Sequence, residues 1–596
     1  MEKSGKKSMI NCHTHIFTSK TVPPYLAKSF LPWPFYKWIN TDVLMSINEF
    51  LKFDQGKWKV FYEKLITIKI QSKNVWHSYR TFLYRNFIAK SIATIINVWF
   101  ITHAIYYLLG EQINTLIKSN DWLYSNVRNV FLFLESKHIF LKDPSFFNKV
   151  IIILFVFFFI EIGRQVLWTL ARYLLPYMKF IPDSKTFEFL SRYLNIIRFA
   201  GYKKSSNIYS KLINQYDEGT GFVVLPMDMH YMGAGKIMDE KGSFEFQMDE
   251  LIKLKNDPLK KVFPFVFIDP RRIIDQPDFL KISGDPLTGQ ITLNTCKVKE
   301  YIEKHKLNGF KIYPALGYYP FDEELLLLWK YAADNQIPIM THVIKGTIFY
   351  RGKKDKKWDY HQVLEQNNGV NQPTSPLMLP ELKNIDFSTN FTHPLNYLCL
   401  LDEKLLRKVV KNCRQEIKDF FGYSDDSTEL KHNLSKLKIC MGHYGGDDEW
   451  AKYQERDRLA QVSNILRIER DGFDFFPQPK PNVAIEDQKS YLGLLWRSMD
   501  WFSIITNMMY KYENVYADIS YIVHNPSIYP LLKQILGKDD LKERVLYGTD
   551  FFVVRNHKSE KQILSEVMAN LSEHEFDLIA RDNPRAYLKT SYCTII

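Results

Sequence analysis

Eight short apolar runs, most of them ending on a histidine or an aspartate, constrain this chain more than any other feature. They are residues 9–15, Gly221–Asp228, Val262–Asp269, Gly309–Pro314, Ile337–His342, Leu437–His443, Val515–Ile519 and Arg544–Asp550. Runs that are apolar almost throughout read as strands of a parallel sheet covered on both faces. Helix-like segments separate several of them. The clearest is Glu323–Asn335, where Leu325, Leu326, Trp329, Ala332 and Ala333 recur at helical spacing and Gln336-Ile337-Pro338 ends the pattern. Eight strands with intervening helices predict an α/β fold, a (β/α)8 TIM barrel. The polar residues at strand ends, His15, Asp228, Asp269, His342, His443 and Asp550, then gather at the C-terminal mouth, where barrels of this kind build active sites.

The rhythm is broken twice. Residues 9–19 carry the first strand, and residues 20–218 form an insertion that reads as mostly helical and strongly apolar. Residues 219–596 complete the barrel, with a second, lid-like insertion at 346–435 that opens on the basic loop Arg351-Gly352-Lys353-Lys354-Asp355-Lys356-Lys357. Two stretches of the large insertion, 87–109 and 150–175, approach the roughly 20 apolar residues of a membrane span. The second contains Glu161 and Arg164, three apart and able to pair on a helix. A transmembrane or re-entrant hairpin is the expectation, with two buried helices of an accessory domain as the alternative. Arg80 and Arg85 before the hairpin and Arg172, Lys179, Arg192, Lys203 and Lys204 after it place the barrel on the cytoplasmic side by the positive-inside rule. Lys118, Arg128, Lys137 and Lys142 between the stretches dilute that bias.

Composition narrows the class. The 596 residues are 46% hydrophobic and 15% aromatic, enough for a large core. The formal net charge of +13 is spread along the chain, without a basic arm or a nucleic-acid-binding motif, so no nucleic-acid partner is expected. The six cysteines form no C-x-x-C pair and read as free thiols of a reducing compartment. The first residues lack an apolar signal segment. The expected location is the cytoplasm or the cytoplasmic face of a membrane, not outside the cell. An oligomer is compatible with all of this.

The chemistry begins at Asn11-Cys12-His13-Thr14-His15. Residues i and i+2 of a strand share a face, so His13 and His15 can aim two imidazoles at one point. His342 at the end of the fifth strand adds a third. Asp550 at the end of the eighth adds a carboxylate, beside the first strand once a barrel closes. The set leaves a position open for water, the mark of a catalytic site. His443 would face the same cavity and polarise a carbonyl or shuttle a proton. Each residue alone has an ordinary reading: a surface histidine, or a helix-capping aspartate.

Taken in order, H-x-H, G-F-K-I-Y-P, P-I-M-T-H, M-G-H-Y-G-G, L-Y-G-T-D-F and the closing N-P-R-A-Y resemble the amidohydrolase superfamily. They are most similar to its branch containing aminocarboxymuconate-semialdehyde decarboxylase. The resemblance spans residues 9–17 and roughly 220–590. It implies metal ligands at His13, His15, His342 and Asp550, and catalytic roles for His443 and Asp550. It implies one divalent ion, with Zn2+ expected; a second ion bridged by a carbamylated Lys311 is the less favoured form. Lys311, Arg271 and Arg272 are candidate contacts for a substrate anion, and ion pairs with neighbouring acids are the rival reading of the arginines. The expected function is a metal-dependent hydrolase that directs an activated water at an amide, ester or lactone carbonyl of a small molecule. The alternatives are a decarboxylase on the same site, or a membrane-tethered binding or effector protein built on the barrel.

Overall fold

All eight runs form parallel strands of one sheet in the computed structural model, whose sheet order follows the chain order. It describes residues 7–30, much of 35–165, 202–237 apart from 203, 242–366 apart from 347, 374–455 apart from 380 and 382, and 496–592 apart from 552. The strands are β1 Ile10–Thr14, β2 Gly221–Val224, β3 Val262–Phe267, β4 Gly309–Lys311, β5 Ile339–Met340, β6 Ile439–Met441, β7 Val515–Asp518 and β8 Val545–Leu546. The circle closes between the two ends of the chain. Cys12 N donates to Tyr547 O at 2.8 Å, Asp550 N donates to His13 O at 2.9 Å, and Thr14 and Phe551 form a parallel bridge.

Several strands are shorter than their apolar runs because the run leaves the ladder before its polar end. His342, His443 and Asp550 all sit past the last paired residue of their strand, free to turn into the mouth. Below them Ile10, Cys12, Phe265, Met340, Cys440 and Leu546 pack with Tyr587 into an apolar plug. The helices bury their stripes outside the sheet. In Glu323–Asp334, capped by Asp322, residues Leu325, Leu328, Trp329 and Ala332 are fully buried, as the periodicity predicts.

One feature of β1 is invisible in its sequence. Asn11 pairs with Phe222 and Thr14 with Val224, so three steps on β1 face two on β2. The extra residue is a β-bulge. It resets the alternation, so that Cys12 joins the plug and the next residue, His13, also enters the barrel rather than turning outward.

The chain divides into two compact units, residues 1–50 with 182–596, and residues 51–181. The flanks of the large insertion therefore belong with the barrel. Tyr25 N donates to Ala234 O at 2.9 Å, and the helix Ser205–Ile213 buries Ile208, Tyr209 and Leu212. The second unit holds helices α1 Phe87–Ile117, α2 Asp121–Ser136 and α3 Phe146–Phe159. Glu161 and Arg164 lie outside the described residues, as do residues 166–200 with Arg172, Lys179 and Arg192; so do Arg80, Lys118, Lys142 and Lys203.

The insertion at 346–435 contributes a hairpin, Tyr360–Gln366 with Ser375–Met378, and helices that include Leu395–Leu401 and Glu403–Lys411. Its basic opening is tied down. Arg351 is buried, donates to Lys28 O and Phe349 O, and lies over the Phe349 ring, while Lys354 pairs with Asp359. Five of the cysteines, Cys12, Cys296, Cys399, Cys413 and Cys440, are free, and Cys593 lies outside the described residues.

Candidate metal centre

The mouth of the barrel brings His13, His15 and Asp550 together, with one ligand atom from each within 4.8 Å of the others. All three are buried, and His15 Nε2 lies 3.4 Å from Asp550 Oδ1. His13, His443 and Asp518 form a second such group sharing His13. His342 enters the cluster through His443: its Nδ1 lies 2.9 Å from His443 Nε2, and its ring stacks on Tyr313 at 3.9 Å.

The hydrogen bonds assign the protons. His13 Nδ1 faces the Asp518 carboxylate at 2.9 Å and His15 Nδ1 faces Leu225 O at 2.8 Å, so both Nδ1 atoms donate and both Nε2 atoms carry lone pairs. His443 Nδ1 faces Ser520 O at 3.2 Å and Ser520 Oγ at 2.9 Å, and Ser520 Oγ in turn donates to Asp518 Oδ1. A carbonyl only accepts, so His443 carries its proton on Nδ1 and accepts on Nε2 from His342 Nδ1. His342 Nε2 is then a lone pair as well. His13 Nε2 and His342 Nε2 are buried without a hydrogen-bond partner among the described residues. Leaving a buried polar atom unpaired costs about 1–3 kcal/mol. The lone pairs of His13 and His15 beside the Asp550 carboxylate fit a divalent cation, which would engage them.

Electrostatics keep the imidazoles in ligand form. Burial lowers the His13 pKa against the pull of Asp518. Burial, reinforced by repulsion from neighbouring imidazoles and Lys311, holds His15, His342 and His443 well below their ordinary value. Lys311 is fully buried among them. Burial brings its ammonium down to about 8, although Asp518 and Asp550 pull the other way, and it donates to Thr341 O at 3.2 Å. The backbone is strained at the same place. His443, Tyr444, Tyr521 and Asp550 all have positive φ, from 43° to 67°. Such strain persists where surrounding structure over-determines it, commonly at functional sites.

Asp518 lies outside every motif that points to the site, yet it sits at its centre. Burial would raise its carboxyl, but His13, His443 and Ser520 outweigh that and hold it well below the usual carboxylate range. It accepts from His13 Nδ1, from the backbone N of His443 at 3.0 Å, and from Ser520 N and Oγ. One carboxylate thereby orients a ligand candidate on β1 and the turn that presents His443.

The two arginines are engaged as ion pairs. Arg271 grips Asp269 through Nε and Nη2 and donates from Nη1 to Tyr231 O and Leu316 O. Arg272 Nε meets Asp228 Oδ2 at 2.6 Å, with both side chains buried. The polar ends of β2 and β3, Asp228 and Asp269, are therefore both spent on arginines of the turn after β3. Arg272→Ala would strand a buried carboxylate, and about 3–5 kcal/mol of stability should disappear. Urea denaturation reads this directly, and an unchanged midpoint would contradict the pairing.

No protein-family model matches the chain, and no curated protein matches it. Solved structures do. A 2,6-dihydroxybenzoate decarboxylase from Rhizobium is 13% identical, with 64% of this chain and 87% of that one covered and a TM-score of 0.30. A 5-carboxyvanillate decarboxylase from Novosphingobium aromaticivorans, complexed with manganese, is 13% identical over 66% and 87%, with a TM-score of 0.31. An amidohydrolase from Mycobacterium avium subsp. paratuberculosis is 14% identical over 70% and 81%, with a TM-score of 0.27.

Proposed function

We propose that this barrel is a metal-dependent enzyme of the amidohydrolase type that hydrolyses an amide, ester or lactone of a small molecule. The observation that carries the reading is the buried set of neutral imidazoles whose Nε2 lone pairs accompany Asp550. His13, His15 and Asp550 would hold the ion, with His342 beside them. A two-histidine, one-carboxylate set accepts several first-row divalent ions, Zn2+ and Mn2+ among them. Once bound, such an ion supplies Lewis acidity to a carbonyl or carboxyl oxygen and lowers the pKa of a water.

The remaining groups belong to this chain. Asp518 fixes the His13 tautomer. Asp550 takes up a proton at its carboxylate. His443, linked through Nδ1 to Ser520 and through Nε2 to His342, relays a proton along that row. Lys311 favours a second reading, decarboxylation: a buried ammonium with one hydrogen bond to a carbonyl is suited to receive a substrate carboxylate.

The test is metal analysis joined to turnover. The purified chain should contain about one divalent ion, lose activity to a chelator and recover it when the ion is restored. His15→Ala and Asp550→Ala should each remove the ion while leaving the fold. Retention of full metal content by both variants would sink the proposal. A panel of lactones, esters, amides and ortho-hydroxylated aromatic carboxylates, followed for acid release and for CO2, separates the two reactions.

A further inference from the structure

We propose that the second unit inserts into the hydrocarbon of a lipid bilayer through α1 and its partners. The proposal stands apart from the barrel chemistry. Phe87–Leu108 of α1 is apolar and 22 residues long. At 1.5 Å per residue it spans about 33 Å, close to the hydrocarbon thickness of a bilayer. Little of it is covered. Phe87, Ile88, Ile92, Ile95, Ile96 and Val98 are exposed, and so are Phe146, Phe147, Ile151 and Leu154 of α3. An apolar exterior of this size does not belong in water.

Exposure alone does not name what covers the surface; the polar groups do. α3 packs on α1 through Ala104, Val156 and Ile160, with Phe100 against Phe155 at 4.3 Å. Between α2 and α3 the chain leaves helical structure at Ile139–Leu141, midway along α1. In hydrocarbon, an irregular segment must have its backbone groups satisfied from within the protein. Trp99, His103 and Tyr107, one helical turn apart on one stripe of α1, supply this. Trp99 Nε1 donates to Ile139 O at 2.6 Å, Leu141 N donates to His103 Nε2 at 3.0 Å, and Tyr107 OH donates to Leu141 O. The other histidine nitrogen is also used, with His103 Nδ1 bonded to Trp99 O at 2.7 Å. Ile139 N and Phe140 N return to Leu134 O, and the Phe140 ring lies against His103, Tyr106 and Phe131. Thr94 Oγ1 is spent on Lys90 O, and Lys90 sits in the first turn, where its stem can carry the charge to the interface. Asn97 faces outward and is a single amide to be tolerated.

The full chain, purified in mild detergent and mixed with phosphatidylcholine–phosphatidylglycerol vesicles as the detergent is removed, should float with the vesicles and resist high-salt and alkaline extraction. A photoactivatable probe on the lipid acyl chain should label peptides from 87–108 and spare those from 242–345. Ile95→Arg with Ile96→Arg should lower the floated fraction roughly tenfold or more and leave the metal content of the barrel as in the parent. The proposal is overturned if the chain stays at the bottom of the gradient as a monodisperse, detergent-free monomer. A detergent-free dimer there overturns it equally, because a second copy would then cover the face. So does lipid labelling that misses 87–108.

Discussion

Asp518→Asn should leave a folded protein that binds its divalent ion about 10- to 100-fold more weakly. The size is that of losing an outer hydrogen-bond partner of a metal ligand. The direction follows from proton placement. Asp518 Oδ2 now accepts from His13 Nδ1 at 2.9 Å, which leaves Nε2 as a lone pair. An asparagine can keep its oxygen toward the backbone N of His443 and toward Ser520, where three donors converge. Its amide NH2 then faces His13 Nδ1, a donor facing a donor. Relief comes from moving the imidazole proton to Nε2, which removes the lone pair an ion needs. Asp518→Ala is the harsher change. It strips five donors, the Cys440 thiol among them, of their acceptor in a fully buried place, at about 1–3 kcal/mol for each group left unsatisfied. Titration calorimetry with Zn2+ and Mn2+, beside urea denaturation, separates the effects. Parental affinity in Asp518→Asn would mean that the carboxylate does not set the tautomer.

That residue also marks how far the sequence could be read. The eight strands were legible because apolar character along a run is local, and each run kept its place in the sheet. His15, His342, His443 and Asp550 were legible because each closes its run with a residue that has no business in an apolar layer. Asp518 carries the same signal: in Val515-Tyr516-Ala517-Asp518-Ile519-Ser520 a carboxylate ends a strand. One apolar residue, Ile519, follows it and hides the end of the run. The β1 bulge had no local signal at all, since it is a mismatch between Asn11–Thr14 and Phe222–Val224 that exists only once the strands pair. The Arg271–Asp269 pair is local, two residues apart, and was open to sequence reading; spacing could not reveal that Arg272 is held by Asp228, or that His342 reaches the cluster through His443, because those partners are distant in the chain.

The seam between β8 and β1 joins the first and last strands of the barrel, and Gly548 lies in it without room for a side chain. A Cβ at Gly548 would lie 2.8 Å from His13 Cβ, 3.0 Å from Ser520 Cβ and 3.3 Å from His13 N. These neighbours are backbone or the first side-chain atom, so no rotamer change moves them aside. Gly548→Ala must therefore push β8 off β1 or off the turn after β7. Overpacking of this kind costs about 1–3 kcal/mol. The displaced atoms include those of His13, itself a ligand candidate, and Asp550 lies two residues further along the same segment as the glycine, its N bonded to His13 O at 2.9 Å. A shift near 0.5 Å is enough to spoil a coordination geometry. Gly548→Ala should thus lower the thermal midpoint and the bound metal together. Gly537→Ala is the matched comparison. It ends the helix Tyr529–Leu536 at φ −79°, and an added Cβ there would meet only Lys533 O at 3.4 Å and Gln534 O at 3.5 Å. That alanine should be neutral or stabilise by about 0.4–1 kcal/mol by restricting the unfolded chain, with metal content unchanged. If the two variants melt alike and bind metal alike, the first strand is not pinned at this glycine. The pair of histidines would then owe its position to β2 alone.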